Sequence, residues 1–149
     1  MHKAYSNTMT KFLLDSGNPD EYKEIAALLG EKARLDSARQ GSELWGSTTN
    51  PSLIAKKLAS EGKKLTPQEA FKLQKDIVLQ IIEIVPGAVS GEVYADQNTK
   101  AEDMVEQGRD ISSWHPRVIV KLPTTLEGMK ARLQLRGSNS QWSLGKSRA

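Results

Sequence analysis

Val118-Ile119-Val120-Lys121-Leu122-Pro123-Thr124-Thr125 is an apolar run with a lysine set two residues from its end. Its β-branched residues and leucine, bounded by Pro116 and Pro123, read as a short buried strand. A lysine inside such a strand is costly unless it is paired or uncharged. Two readings of Lys121 stay open on this stretch alone. In one, desolvation favours the neutral amine, the form that attacks a carbonyl to make a Schiff base. In the other, the side chain snorkels to the strand end and meets a carboxylate.

Similar strands recur upstream. Lys11-Phe12-Leu13-Leu14-Asp15 reads as a strand ending in a carboxylate, and Leu44-Trp45-Gly46-Ser47-Thr48 as a second. Val89-Ser90-Gly91-Glu92-Val93-Tyr94-Ala95 is a third, with Glu92 inside it. Helical spacing fills the intervals. Asn18-Pro19 caps a helix carrying Tyr22, Ile25, Ala26 and Leu29, which Gly30 is expected to stop. Thr66-Pro67-Gln68-Glu69 is a capping box, followed by Ala70, Leu73, Ile77, Ile81 and Ile84 on one face. Ala101, Met104, Val105, Gly108 and Ile111 set the next helix, and Thr124 is the expected cap of another, with Glu127 three residues on. Strand and helix alternating four times predict an α/β fold of parallel strands with right-handed crossovers. Function in such folds gathers at the carboxyl ends of the strands. Asp15, Thr48 with Asn50, Glu92 and Lys121 all fall at or near those ends.

Composition narrows the functional classes. Among 149 residues there is no cysteine, which excludes disulfides and thiolate metal sites and fits a reducing compartment. Two histidines, His2 and His115, argue against a histidine-built metal site. No apolar run approaches the length of a bilayer span, and Met1 to Thr10 is a polar leader without the apolar core of a signal peptide. The basic balance belongs to one end. Lys130, Arg132, Arg136, Lys146 and Arg148 face no acidic residue from Lys130 onward, and removing those five from the net +3 leaves −2 over residues 1–129. That tail carries no nucleic-acid-binding motif and little aromatic interleaving, so neither a nucleic acid nor a membrane is an expected partner.

Four segments in this order and spacing resemble the transaldolase family, which takes in transaldolase and fructose-6-phosphate aldolase-like enzymes. They are Asp15-Ser16 after a strand, Ser47-Thr48-Thr49-Asn50-Pro51-Ser52-Leu53-Ile54, Ser90-Gly91-Glu92-Val93, and Val120-Lys121-Leu122-Pro123-Thr124-Thr125-Leu126-Glu127-Gly128. The resemblance covers about residues 11–130. It implies a (β/α)8 TIM barrel and class I aldol transfer or cleavage of a sugar-phosphate ketose, without metal or cofactor, in cytoplasmic carbohydrate metabolism. Carried over residue by residue, Lys121 would form the Schiff base, Glu92 would move protons through a bound water, and Asp15 would assist carbon–carbon cleavage. Asn50 and Thr48 would bind the dihydroxyacetone unit.

The chain departs from that pattern in length. A closed barrel takes about 250 residues, whereas four strand–helix units here fit only the amino-terminal half of one. The family's phosphate-holding arginine and serine lie on later strands and have no counterpart here. Residues 131–149 show neither helical nor strand period and are expected to form a disordered basic tail. A shifted reading frame or a truncated chain would each account for this. A catalytically inactive fragment, or a homo-oligomer formed through open barrel edges, follows from either.

Overall fold

The strand around Lys121 alternates in burial, with Val118, Val120 and Leu122 buried and Ile119, Lys121 and Pro123 half-buried. This computed structural model describes residues 11–35, 43–49, 52, 54, 55, 58, 62, 65–136 and 142–145. In chain order they form β1 (Lys11–Asp15), α1 (Pro19–Leu35), β2 (Glu43–Thr48), α2 (Pro67–Ile82), β3 (Val89–Glu92), α3 (Ala101–Ser113), β4 (Val118–Pro123), α4 (Leu126–Leu135) and β5 (Trp142–Gly145). All strands lie in one sheet in the order β1-β2-β3-β4-β5, and every neighbouring pair is parallel. A helix crosses over between each pair, so this is an α/β arc consistent with half of a TIM barrel. The expected leader, residues 1–10, and Asn50 lie outside the described residues. Among the described residues no helix is long and apolar enough to cross a membrane.

Strand period puts Val89, Gly91, Val118, Val120 and Leu122 on the helix-covered face. Ile81 and Ile82 cover them from α2, and Met104 and Ile111 from α3. Burying each such side chain contributes about 1.5–3 kcal/mol. Gly91 lets α3 approach, since a Cβ there would lie 2.8 Å from Ile111 Cγ2. At the amino ends of the strands, Arg117 closes the turn into β3. Its guanidinium donates to the carbonyls of Ile82 (2.6 Å), Gly87 (3.2 Å) and Val85.

Several local expectations change. Gly30 lies within α1 rather than ending it; open space surrounds its Cβ direction, and its backbone keeps a negative φ. A glycine there costs only about 1 kcal/mol relative to alanine. The cap of α4 is Thr125, not Thr124: its hydroxyl accepts from Gly128 N at 3.0 Å. Glu127 accepts from Ala101 N of the neighbouring helix at 3.0 Å and from Lys130 Nζ of its own helix at 2.6 Å. Beyond Lys130, where no period is legible, α4 runs on to Leu135 and β5 pairs with β4, Val120 opposite Trp142 and Lys121 opposite Ser143. A four-residue strand is too short to display a period of two, and pairing with β4 supplies its order.

Three surface carboxyls predict the acid response. Hydrogen bonds from the Thr66 backbone and hydroxyl hold Glu69 below the usual carboxylate range. The Asn98 backbone N–H and the Thr99 hydroxyl do the same for Asp96, and Lys130 and the Ala101 backbone for Glu127. Depressed folded values mean that these contacts stabilise the fold above the unfolded pKa and are lost as pH falls through the folded one. The urea midpoint is therefore expected to hold down to about pH 5 and to fall below about pH 4. Glu69→Gln should make that fall shallower.

Candidate active site

Lys121 and Glu92 are register partners on β4 and β3, near the carboxyl ends of both strands. Both side chains lie on the face opposite the helices, and Lys121 Nζ stands 3.3 Å from Glu92 Oε2. They are 18% and 20% exposed, half-buried but open to solvent on one side. The pairing that would keep Lys121 comfortable as a structural lysine is therefore made with the same carboxylate that the chemical reading requires. Such a pair can pass a proton between amine and carboxylate, and a lysine freed of its proton is a nucleophile toward carbonyl carbon.

Asp15 and Thr48 form a second row. They are register partners at the ends of β1 and β2, and Thr48 in turn lies opposite Ser90. Ser90 precedes Glu92 by two residues, so this row shares the face of the Lys121–Glu92 pair but lies about 6.6 Å lower along the strands. Asp15 is exposed and Thr48 half-buried. The structure thus joins Glu92 to Lys121 directly and puts Asp15 and Thr48 on the same face, a step away across the sheet. The position expected to hold Asn50 lies outside the described residues. No group of three or more carboxylate or imidazole side chains that could hold a metal ion occurs among the described residues.

Residues to which the sequence reading assigns no part in the site hold these rows in place. Thr49 is fully buried; its N–H donates to Ser90 Oγ at 3.1 Å and its hydroxyl to Ser90 O at 2.9 Å. Tyr22 of α1 is also fully buried, with its phenol against the backbone of Leu14 and Ser16 at the end of β1. The phenol donates toward Leu14 O and Ser16 O, both at 3.0 Å, accepts from Ser16 N at 3.2 Å, and bonds Ser47 of β2. Burial pushes the phenol's pKa up, outweighing the hydrogen bonds from Ser47 and Ser16, so it stays a donor at neutral pH. Gln74 of α2 is buried against the backbone of Glu92. A signal for it exists: Gln74 sits four residues after Ala70 and three before Ile77, a polar residue on the core face of an amphipathic helix.

Gly128 explains why the lysine strand passes so tightly into its helix. A Cβ at Gly128 would meet Pro123 O at 2.0 Å, so only glycine lets α4 start against the strand end.

The family model described as Transaldolase/Fructose-6-phosphate aldolase matches residues 12–142, through α4 to the first residue of β5. Several curated relatives carry the name probable transaldolase. The protein of Thermus thermophilus is 42% identical over 118 residues, covering 79% of this chain and 44% of the relative. That of Prosthecochloris aestuarii is 41% identical over 121 residues, covering 81% and 45%. That of Lachnoclostridium phytofermentans is 37% identical over 121 residues, covering 81% and 43%. The chain spans less than half the length of these relatives.

Proposed function

Because the chain belongs to the transaldolase/fructose-6-phosphate aldolase family, we propose that Lys121 captures the carbonyl of a sugar-phosphate ketose as a Schiff base. The observation that carries this reading is the 3.3 Å contact between Lys121 Nζ and Glu92 Oε2 at the ends of adjacent parallel strands. Glu92 takes the ammonium proton, and the free amine adds to the carbonyl carbon. Loss of water from the carbinolamine, with Glu92 returning a proton to the departing oxygen, leaves a protonated imine. That imine draws electrons from the adjacent carbon–carbon bond. Asp15 accepts the proton of the neighbouring hydroxyl as the bond breaks, while Thr48 and Asn50 hydrogen-bond the retained three-carbon unit. The reaction is an aldol cleavage or, when a second aldehyde accepts that unit, a transfer.

Dihydroxyacetone is the appropriate probe, because it carries the ketone and no phosphate. Incubated with the chain and borohydride, it should leave one reduced three-carbon unit on the peptide containing Lys121, read by mass spectrometry. Glu92→Gln should slow capture by about 100-fold, the lower range for removing a general acid–base, without moving the label to another residue. Labelling centred on a different lysine would remove Lys121 from the proposal.

A further inference from the structure

Gln74 is buried, polar and unused by the chemistry above. It is 2% exposed, and its carboxamide makes two bonds to a single residue. Nε2 donates to Glu92 O at 3.0 Å, and Oε1 accepts from Glu92 N at 3.2 Å. The sheet explains why such a partner is needed there. Val89 N and Val93 N donate to the carbonyls of Arg117 and Lys121, each at 3.1 Å, so alternate residues of β3 serve β4. Ser90 and Glu92 turn their peptide groups toward β2. Among the described residues, however, the β2–β3 register consists of Ser47 opposite Val89 and Thr48 opposite Ser90. At Ser90 the carbonyl takes the Thr49 hydroxyl; two residues on, at Glu92, the N–H and carbonyl both go to Gln74. A planar carboxamide that turns one N–H and its carbonyl oxygen toward the strand reproduces a peptide group. Gln74 therefore carries the ladder on beyond the described β2–β3 pairs.

We infer that Gln74 is the positioning residue that holds Glu92 against Lys121, an inference that rests on the proposed roles of those two residues. Fixing both peptide groups of Glu92 fixes the direction of its Cβ, and so the carboxylate's place beside the amine. A leucine or methionine at position 74 would pack on the core equally well but could bond neither group. A glutamate carboxylate would accept from the N–H and have nothing to donate to the carbonyl.

Three measurements on the full chain test this. In hydrogen exchange, the Glu92 amide of the unaltered chain should be protected, and Gln74→Met should speed its exchange about ten-fold while the Val89 amide is unchanged. In competitive acylation with acetic anhydride, which needs no sugar, Lys121 should react about three-fold faster in Gln74→Met, as expected when a half-exposed ion pair is loosened. Glu92→Gln should give a rise in the same direction, and the double substitution should add nothing to it. Lys72 and Lys100 are internal controls whose acylation should not move.

Capture of dihydroxyacetone separates this inference from the reading beneath it. If the unaltered chain captures none while the acylation effects of Gln74→Met and Glu92→Gln remain coupled, the Schiff-base reading fails and the positioning role stands. Equal Lys121 acylation in Gln74→Met and the unaltered chain, additive effects in the double substitution, or a rise at all lysines together would overturn the positioning role. Should Gln74→Met not fold, Gln74→Leu replaces it. A Glu92 amide that exchanges like an exposed loop amide in the unaltered chain overturns the inference without any substitution.

Discussion

Lys121→Arg is expected to reduce covalent capture of dihydroxyacetone to background, a loss on the order of 1,000-fold or more, as when a covalent nucleophile is removed. The substitution keeps the charge and the company of Glu92, so the 3.3 Å pair with the carboxylate has a counterpart in the variant. What it removes is the capacity to become a neutral amine, because guanidinium stays protonated at any pH the fold survives. A purely structural lysine would tolerate the change, with the melting temperature and the borohydride label both preserved. Mass spectrometry of the Lys121 peptide decides between the two. Full labelling of the arginine variant elsewhere in the chain would mean that the nucleophile has been misassigned.

Tyr22→Phe is the second large effect, and it falls on stability. The ring would still fill its buried position, while Leu14 O, Ser16 O, Ser16 N and the Ser47 hydroxyl would lose their shared partner. Buried polar groups left unsatisfied cost about 1–3 kcal/mol each, tempered where water can enter. A loss of about 2–3 kcal/mol in urea unfolding is expected, enough to lower the melting temperature by several degrees. The phenol's raised pKa gives a second check. A raised folded value means that its contribution is complete below about pH 10, the unfolded pKa, and is lost as pH rises through the folded value. The stability gap between the unaltered chain and Tyr22→Phe should therefore narrow in strong alkali. A gap unchanged up to the pH of unfolding would mean that the phenol's hydrogen bonds contribute little.

The strands carrying Asp15, Thr48, Glu92 and Lys121 are legible because each is a short apolar run with a polar residue at its end. The capping box at Thr66 is legible because its partners are three residues apart, and the structure has both of its hydrogen bonds. Local rules fail where the deciding partner is distant in sequence. Glu127 reaches the start of α3, 26 residues away, as well as Lys130 of its own helix, and the cap is Thr125. Thr49 is buried by Ser90, 41 residues on, and Gln74 by Glu92, 18 residues on. Neither Glu127 nor Thr49 has a near neighbour that announces its role, and Gln74 shows only as a polar residue on the core face of α2, without its partner. The strand at Trp142–Gly145 belongs with them, because its order comes from β4 rather than from its own pattern.

Every strand of the sheet lies beside the strand that precedes it in the chain. During synthesis, then, each newly emerged strand–helix unit meets a finished docking edge already presented by the unit before it. No strand must wait for a later one to be inserted between itself and its neighbour, as it must in sheets whose strand order is shuffled. Contacts of short sequence separation are also the ones that close fastest. The growing polypeptide is thus expected to acquire order from its amino terminus in steps of one unit. Ribosome-bound chains halted after α2 should already protect the amides of β1 and β2, well before Lys121 has left the exit tunnel.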